Sequence, residues 1–353
     1  MKRFTKIMAA VLCLAMGMTM VSAALAADIN VYFIPKLSGN AFFEVANEGA
    51  QKFAAENGFK VTYEGYPEAT VANQVAAIQN AVNNGADALC ISTVDANGVQ
   101  DALKEAAAAG LVVTTWDSDS LTDARRIMVS QGDPTTLGMM LIDMLADSLK
   151  ERGKDVDNDE IKYCWHYSQA TVTDQNSWQV AGEKYRAEKY PKWVNVAPDN
   201  YYSEQDAEKA ITVGEALLTA HPDIDGIICN DSTALPGQAQ AAQNLGLDAT
   251  KVTITGFATP NAMKQYCKDG ILTRWGLWDC GQQGALGCYV AYLLASGKDL
   301  KVGDKIDVPG MGTVEVMPNS ILDPNAVDTE TSGVVILPER AVFTAENMDN
   351  YNF

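Results

Sequence analysis

From Asp28 onward, short apolar runs alternate with longer stretches in which apolar residues recur at helical spacing. The run 29–34 predicts a strand. The stretch 40–56, with Phe43, Ala46, Ala50 and Phe53 near a 3.6-residue period, predicts a helix. Strands at 61–64, 88–92 and 112–116 follow, separated by helices at 70–83 and 96–109. Such strand–helix repetition builds a parallel sheet with helices on both faces. A second series predicts strands at 127–129, 161–167, 194–198, 224–229, 252–257 and 271–277, interleaved with helices at 135–150, 175–189, 204–220, 235–244, 260–269 and 282–295. Beyond these, Pro- and Gly-rich turns around Pro309, Gly312 and Pro318 flank two extended runs, 312–316 and 333–337, that need sheet partners. The expected fold class is α/β, with two doubly wound lobes and a first crossover near 118–122.

The N-terminus departs from this pattern. Lys2, Arg3 and Lys6 precede the apolar run 7–21, and Ala24-Leu25-Ala26 forms an A-x-A cleavage site, so 1–26 reads as a signal peptide and the protein as exported. The 353 residues suit two ordinary domains. A formal charge of −19 disfavours nucleic acid and anionic lipid as partners, since phosphate binding relies on Lys and Arg. Cys90, Cys164 and Cys229 lie in strand-like apolar runs as small hydrophobes, while Cys267 and Cys280 are a possible pair.

Searches for catalytic chemistry return little. The two histidines, His166 and His221, belong to no H-E-x-x-H arrangement, and there is no G-x-S-x-G elbow. Neither a Walker A loop nor G-x-G-x-x-G follows the first strand. The acidic run 155–160 resembles the start of a calcium loop but has Glu160 and His166 where Gly and Glu are required. No catalytic residue, metal or cofactor is therefore expected. A glycosidase using Asp117 and Asp174 as its two carboxylates is the enzyme alternative.

Polar groups recur just past the predicted strands: Lys36, with Phe42 and Phe43 soon after; Asp117-Ser118-Asp119; Asp174-Gln175-Asn176; Asn230-Asp231-Ser232; and Trp278-Asp279. Helix capping explains any one of them. Together, at strand ends of two lobes, they suggest one shared cleft. Carboxylates accept strongly from hydroxyls, Lys and amide groups donate to ring oxygens, and Phe42, Phe43 and Trp278 could cover the apolar faces of a small ring. The chemistry suits a small polyol.

These phrases, read as Ile34-Pro35-Lys36-Leu37, Thr115-Trp116-Asp117-Ser118-Asp119, Thr171-Val172-Thr173-Asp174-Gln175-Asn176, Gly256-Phe257-Ala258-Thr259-Pro260-Asn261, Gly276-Leu277-Trp278-Asp279 and Leu337-Pro338-Glu339-Arg340, are similar to those of periplasmic binding proteins of the ribose type. Within that family they most resemble the autoinducer-2 receptors of the Lsr uptake system. The resemblance implies a type I fold whose two lobes are joined by a three-segment hinge. By analogy the N-terminal lobe comprises 27–120 and 257–300, and the C-terminal lobe 121–256 and 301–353. It also implies that Lys36 and Asp117 on one lobe, with Asp174 and Gln175 on the other, hold a cyclic tetrahydroxy ligand. The family's Pro-Asp-Ala segment corresponds to Asn230-Asp231-Ser232, so both outer residues differ and another small sugar, such as rhamnose or a pentose, stays open. The implied partner is an ABC permease of the inner membrane, served by a monomer in the periplasm.

Overall fold

A computed structural model of the chain describes residues 29–353, so the expected signal at 1–26 lies outside the described residues. Strands β1 (Asn30–Ile34), β2 (Lys60–Tyr63), β3 (Ala88–Ile91), β4 (Val112–Trp116) and β5 (Ile127–Ser130) form one parallel sheet in the order β2-β1-β3-β4-β5. Residues of β3 and β5 are buried throughout, which is why these strands read as unbroken apolar runs. Strands β6 (Lys162–Tyr167), β7 (Val194–Asn195), β8 (Tyr201–Tyr202), β9 (Gly226–Cys229) and β10 (Thr253–Gly256) form the second parallel sheet, around a central β6–β9 pair. β11 (Arg274–Leu277) reaches β10 through a bridge between Phe257 and Gly276.

The tail is placed differently from the expected partition. β12 (Lys305–Val308), β13 (Gly312–Met317) and β14 (Gly333–Ile336) extend the first sheet, with β14 parallel to β5, and only β15 (Ala341–Thr344) returns to pair with β11. β5 also belongs to the first sheet, although 121–256 and 301–353 were expected to share the second lobe. The reason is local. A single 3-10 turn, Thr122–Ala124, returns the chain beside β4, and Arg125 holds Asp119 while donating to the Gly333 carbonyl and Ser332. The chain therefore changes lobe after Ser130, between Leu277 and Cys280, and between Ile336 and Ala341, rather than near 118–122 and at the expected boundaries 256/257 and 300/301.

Helix Cys280–Ala295 packs against helix Ala41–Asn57 and the first sheet. The two helices approach so closely that a Cβ on Gly49 would run into the Gly281 carbonyl, and one on Gly284 into the Ala46 carbonyl. Glycine at these positions answers to packing, with no unusual φ involved. Arg340 donates to the Gln131 and Leu337 carbonyls, tying two of the three crossing segments together. No helix among the described residues is long and apolar enough to cross a membrane, and Cys267 and Cys280 are free thiols, as are Cys90, Cys164, Cys229 and Cys288.

Candidate functional site

The ends of β1 and β4 in the first lobe face the start of helix Thr173–Lys189 and the end of β9 in the second. Lys36 follows β1 after Pro35. Asn40 then starts helix Ala41–Asn57 by accepting from the Phe42 N–H, which sets Phe42 and Phe43 in the first helical turn. Asp117 follows β4 with φ of 58°, a left-handed conformation that costs a non-glycine residue energy and recurs at functional sites.

Lys36 Nζ lies 2.9 Å from Asp117 Oδ2 and 3.6 Å from Asp174 Oδ1, with all three side chains almost fully buried. Ser92 Oγ donates to Asp117 at 2.6 Å. Ser118 Oγ, from the first lobe, donates to Asp174 at 2.7 Å across the cleft. Asp174 and Gln175 occupy the first turn of helix Thr173–Lys189 rather than a free loop. The partial positive charge of a helix N-terminus favours an acid there.

Burial works against the charges of Lys36, Asp174 and Asp231. Burial pushes Lys36 down, but Asp117 and Asp174 more than compensate and hold its ammonium above the ordinary value of 10.5. Burial pushes the Asp174 carboxyl up to about 6; Lys36 opposes this and Asp117 adds to it. Asp231 is also raised by burial, against the pull of the Ala234 N–H and Lys36. One ammonium thus faces three carboxylates out of water, a set rich in acceptors for hydroxyl groups.

Aromatic rings close the other walls. Trp278 meets Phe42 of the first lobe edge-on at 5.9 Å, and Trp178 and Phe257 of the second at 5.9 and 5.5 Å. Its indole N–H donates to Gln283 Oε1 at 2.6 Å, and Gln283 in turn donates to Gln131 Oε1 at a lobe crossing.

The structure brings Lys36, Phe42, Phe43, Asp117, Asp174, Gln175, Asn230, Ser232 and Trp278 to one cavity. It does not bring Asp279 there: that carboxylate caps helix Cys280–Ala295, accepting from the Gln282 N–H and side chain. Gln175 is largely committed to the wall, since its Oε1 accepts from Ser168 N and Oγ and its Nε2 donates to Asp231. Sequence reasoning missed Asp231, Gln205, Trp178, Phe257 and Leu277 as lining residues. Asp231 stood inside a phrase already singled out. Gln205 follows β8, a two-residue strand too short to leave a periodic signal. His166 is buried in β6 against Gln238 and pushed down to about 4 by burial, away from the cavity lining.

The periplasmic binding protein domain family matches residues 31–299. The ribose import binding protein RbsB of Salmonella typhimurium is 27% identical over 314 residues, covering 87% of this chain and 97% of the relative. The D-ribose/D-allose-binding protein of Pseudomonas aeruginosa is 25% identical over 277 residues, covering 76% and 82%. Among solved structures, LsrB from Clostridium saccharobutylicum in complex with AI-2 is 69% identical with a TM-score of 0.91, covering 92% of this chain and all of that one. An ABC transporter solute binding protein from Clostridium phytofermentas with bound L-rhamnose superposes with a TM-score of 0.81 at 23% identity over 93% and 99%, a likeness of fold.

Proposed function

This chain belongs to the periplasmic binding protein family, and from that premise we propose that it is the substrate-binding component of an ABC importer that captures autoinducer-2. The observation that carries this reading is the ionic cluster built from both lobes: Lys36 and Asp117 from one, Asp174 from the other, linked by the Ser118–Asp174 bond. The 69% identity to LsrB, solved with AI-2, supports the ligand.

Lys36, Asp117 and Asp174 hold ring and hydroxyl oxygens, Asn230, Asp231 and Ser232 add contacts from the second lobe, and Phe42, Phe43 and Trp278 cover the apolar ring face. Gln175 contributes the amide hydrogen its wall bonds leave over. A ligand held by both lobes stabilises the closed form by its greater affinity for that form. Closure turns on the three crossing segments, and the closed protein docks on an inner-membrane permease from the periplasm. The acidic surface gives nucleic acid no purchase, and a monomer suffices because both walls come from one chain. No substrate turnover is expected, because Asp117 and Asp174 share one ammonium rather than facing each other across a scissile bond.

Mass spectrometry of the ligand released by mild heating tests this. Recovery of autoinducer-2 supports the reading and recovery of a hexose rejects it. Asp117→Ala is expected to abolish binding in calorimetry while the protein stays folded, and near wild-type affinity overturns the site. The second reading is a receptor for another small sugar, such as rhamnose or a pentose. It is favoured by the ribose-binding relatives and by Asn230 and Ser232, polar side chains in the cavity wall.

A further inference from the structure

Two polar atoms of the cavity wall are buried and find no hydrogen-bond partner among the described residues: Gln205 Nε2, a donor, and Asn230 Oδ1, an acceptor. The residues are only 6% and 1% exposed. Leaving such groups unpaired away from water is costly, so a pair of them on residues that line one cavity points to a ligand. Asn230 is oriented by its other end, whose Nδ2 donates to the Gln175 carbonyl at 2.9 Å, leaving Oδ1 as the free acceptor.

Gln205 is held there at a conformational cost. It lies in the turn between β8 and helix Ala207–Ala220, where Glu204 and Gln205 have consecutive φ values of 53° and 59°. Two left-handed non-glycine residues in a row persist only where the surroundings enforce them, and such strain concentrates at functional sites. Three backbone N–H groups enforce it. Ser203 N donates to the Tyr167 carbonyl, Glu204 N to that of Ser168 at 2.8 Å, and Gln205 N to Ser203 Oγ at 3.2 Å. Ser168 is also the residue that grips Gln175 Oε1, so the strained turn is clamped to the end of β6 beside the candidate site.

Gln205 and Ser232 line both the inner cavity and a groove of about 500 Å³ outside it. That groove runs between Leu37 and Asn40 of one lobe and Asp206, Thr233 and Tyr266 of the other. Gln205 therefore stands in the wall between the two spaces.

We propose that Gln205 is a specificity-determining ligand contact: its Nε2 donates to the oxygen of a small polyol that faces the outer groove, while Asn230 Oδ1 accepts from a hydroxyl of the same ring. This rests on the polyol-receptor function proposed above. A site that pairs a buried donor and acceptor with ligand groups rejects analogues lacking either, because its own groups are then left unpaired. The side chain also limits how far a ring substituent extends outward before it meets the amide.

The test is calorimetry on the mature full-length chain with autoinducer-2, D-ribose and L-rhamnose as probes, reading the tightest. Gln205→Gly removes the amide and suits the left-handed backbone. It is expected to weaken Kd roughly 3- to 10-fold while the ligand-free melting temperature holds or rises. Gln205→Leu keeps the bulk, removes the donor and is expected to lose affinity similarly. A merely structural Gln205 predicts the reverse pattern: lowered melting temperature with Kd within twofold of wild type, which overturns the proposal. Asp117→Ala is run alongside. If it loses binding while both Gln205 variants keep it, the Gln205 assignment alone falls. If the wild type binds none of the probes, the receptor function falls with it.

Discussion

Replacing Asp174 by Asn should make the ligand-free protein more stable at neutral pH and a weaker binder. Burial raises the Asp174 carboxyl from 3.8 to about 6, with Lys36 opposing and Asp117 adding. That is about two pH units at about 1.4 kcal/mol each, or about 3 kcal/mol favouring the neutral carboxyl in the folded protein. The sign follows from linkage. A folded value above the unfolded one contributes stability that is complete below pH 3.8 and lost as pH rises through about 6. Asn carries no charge at any pH, so it avoids this loss, while Lys36 keeps its 2.9 Å pair with Asp117. The melting-temperature difference, variant minus wild type, should be small at pH 4, grow through pH 6 and level off at about 4 to 5 °C by pH 7.5. Calorimetry at pH 7.5 should show affinity weakened about 10- to 100-fold, the size of a lost charge-assisted hydrogen bond. A variant less stable than wild type at pH 7.5, or a difference independent of pH, refutes the argument that burial dominates at Asp174.

Ser118→Ala removes the 2.7 Å bond from the first lobe to Asp174 of the second. It should speed ligand dissociation about 3- to 10-fold in stopped-flow measurements and leave the ligand-free melting temperature nearly unchanged. An unchanged off-rate would show that this bond does not hold the lobes together. Gly49→Ala forces a Cβ into the Gly281 carbonyl. Chemical denaturation should show a loss of about 1 to 3 kcal/mol, with affinity per folded molecule unaffected. Wild-type stability would mean that the helix pair separates without penalty.

Strand and helix positions were legible because their signal is local. β4 lies at Val112–Trp116 in the structure as in the apolar pattern, and helix Thr70–Asn83 is shortened only by its capping residue, Thr70. Buried parallel strands must be apolar throughout, and helices must bury one face, so periodicity reports both. The polar groups after strands were legible for a related reason: chain reversal at the carboxyl ends of a parallel sheet gathers them on one side. Asp279 shows the limit of that logic. It sits at a strand end like Asp117, yet its carboxylate turns back onto the Gln282 N–H, and cap and ligand contact share one composition.

Residue pattern and motif thus sufficed for the α/β class, the alternation of elements, the family resemblance, and the identity of Lys36, Asp117 and Asp174 as candidates. Three things were decided only by the folded chain. The sheet to which β12–β14 belong depends on pairing between residues some 200 positions apart, such as Val335 with Val129. The raised Asp174 carboxyl depends on burial beside Asp117, 57 residues away in the chain. Gln205 enters the cavity wall only because a strained turn is clamped to the end of β6. Each is a long-range juxtaposition, and a periodicity read over one or two turns carries no record of it.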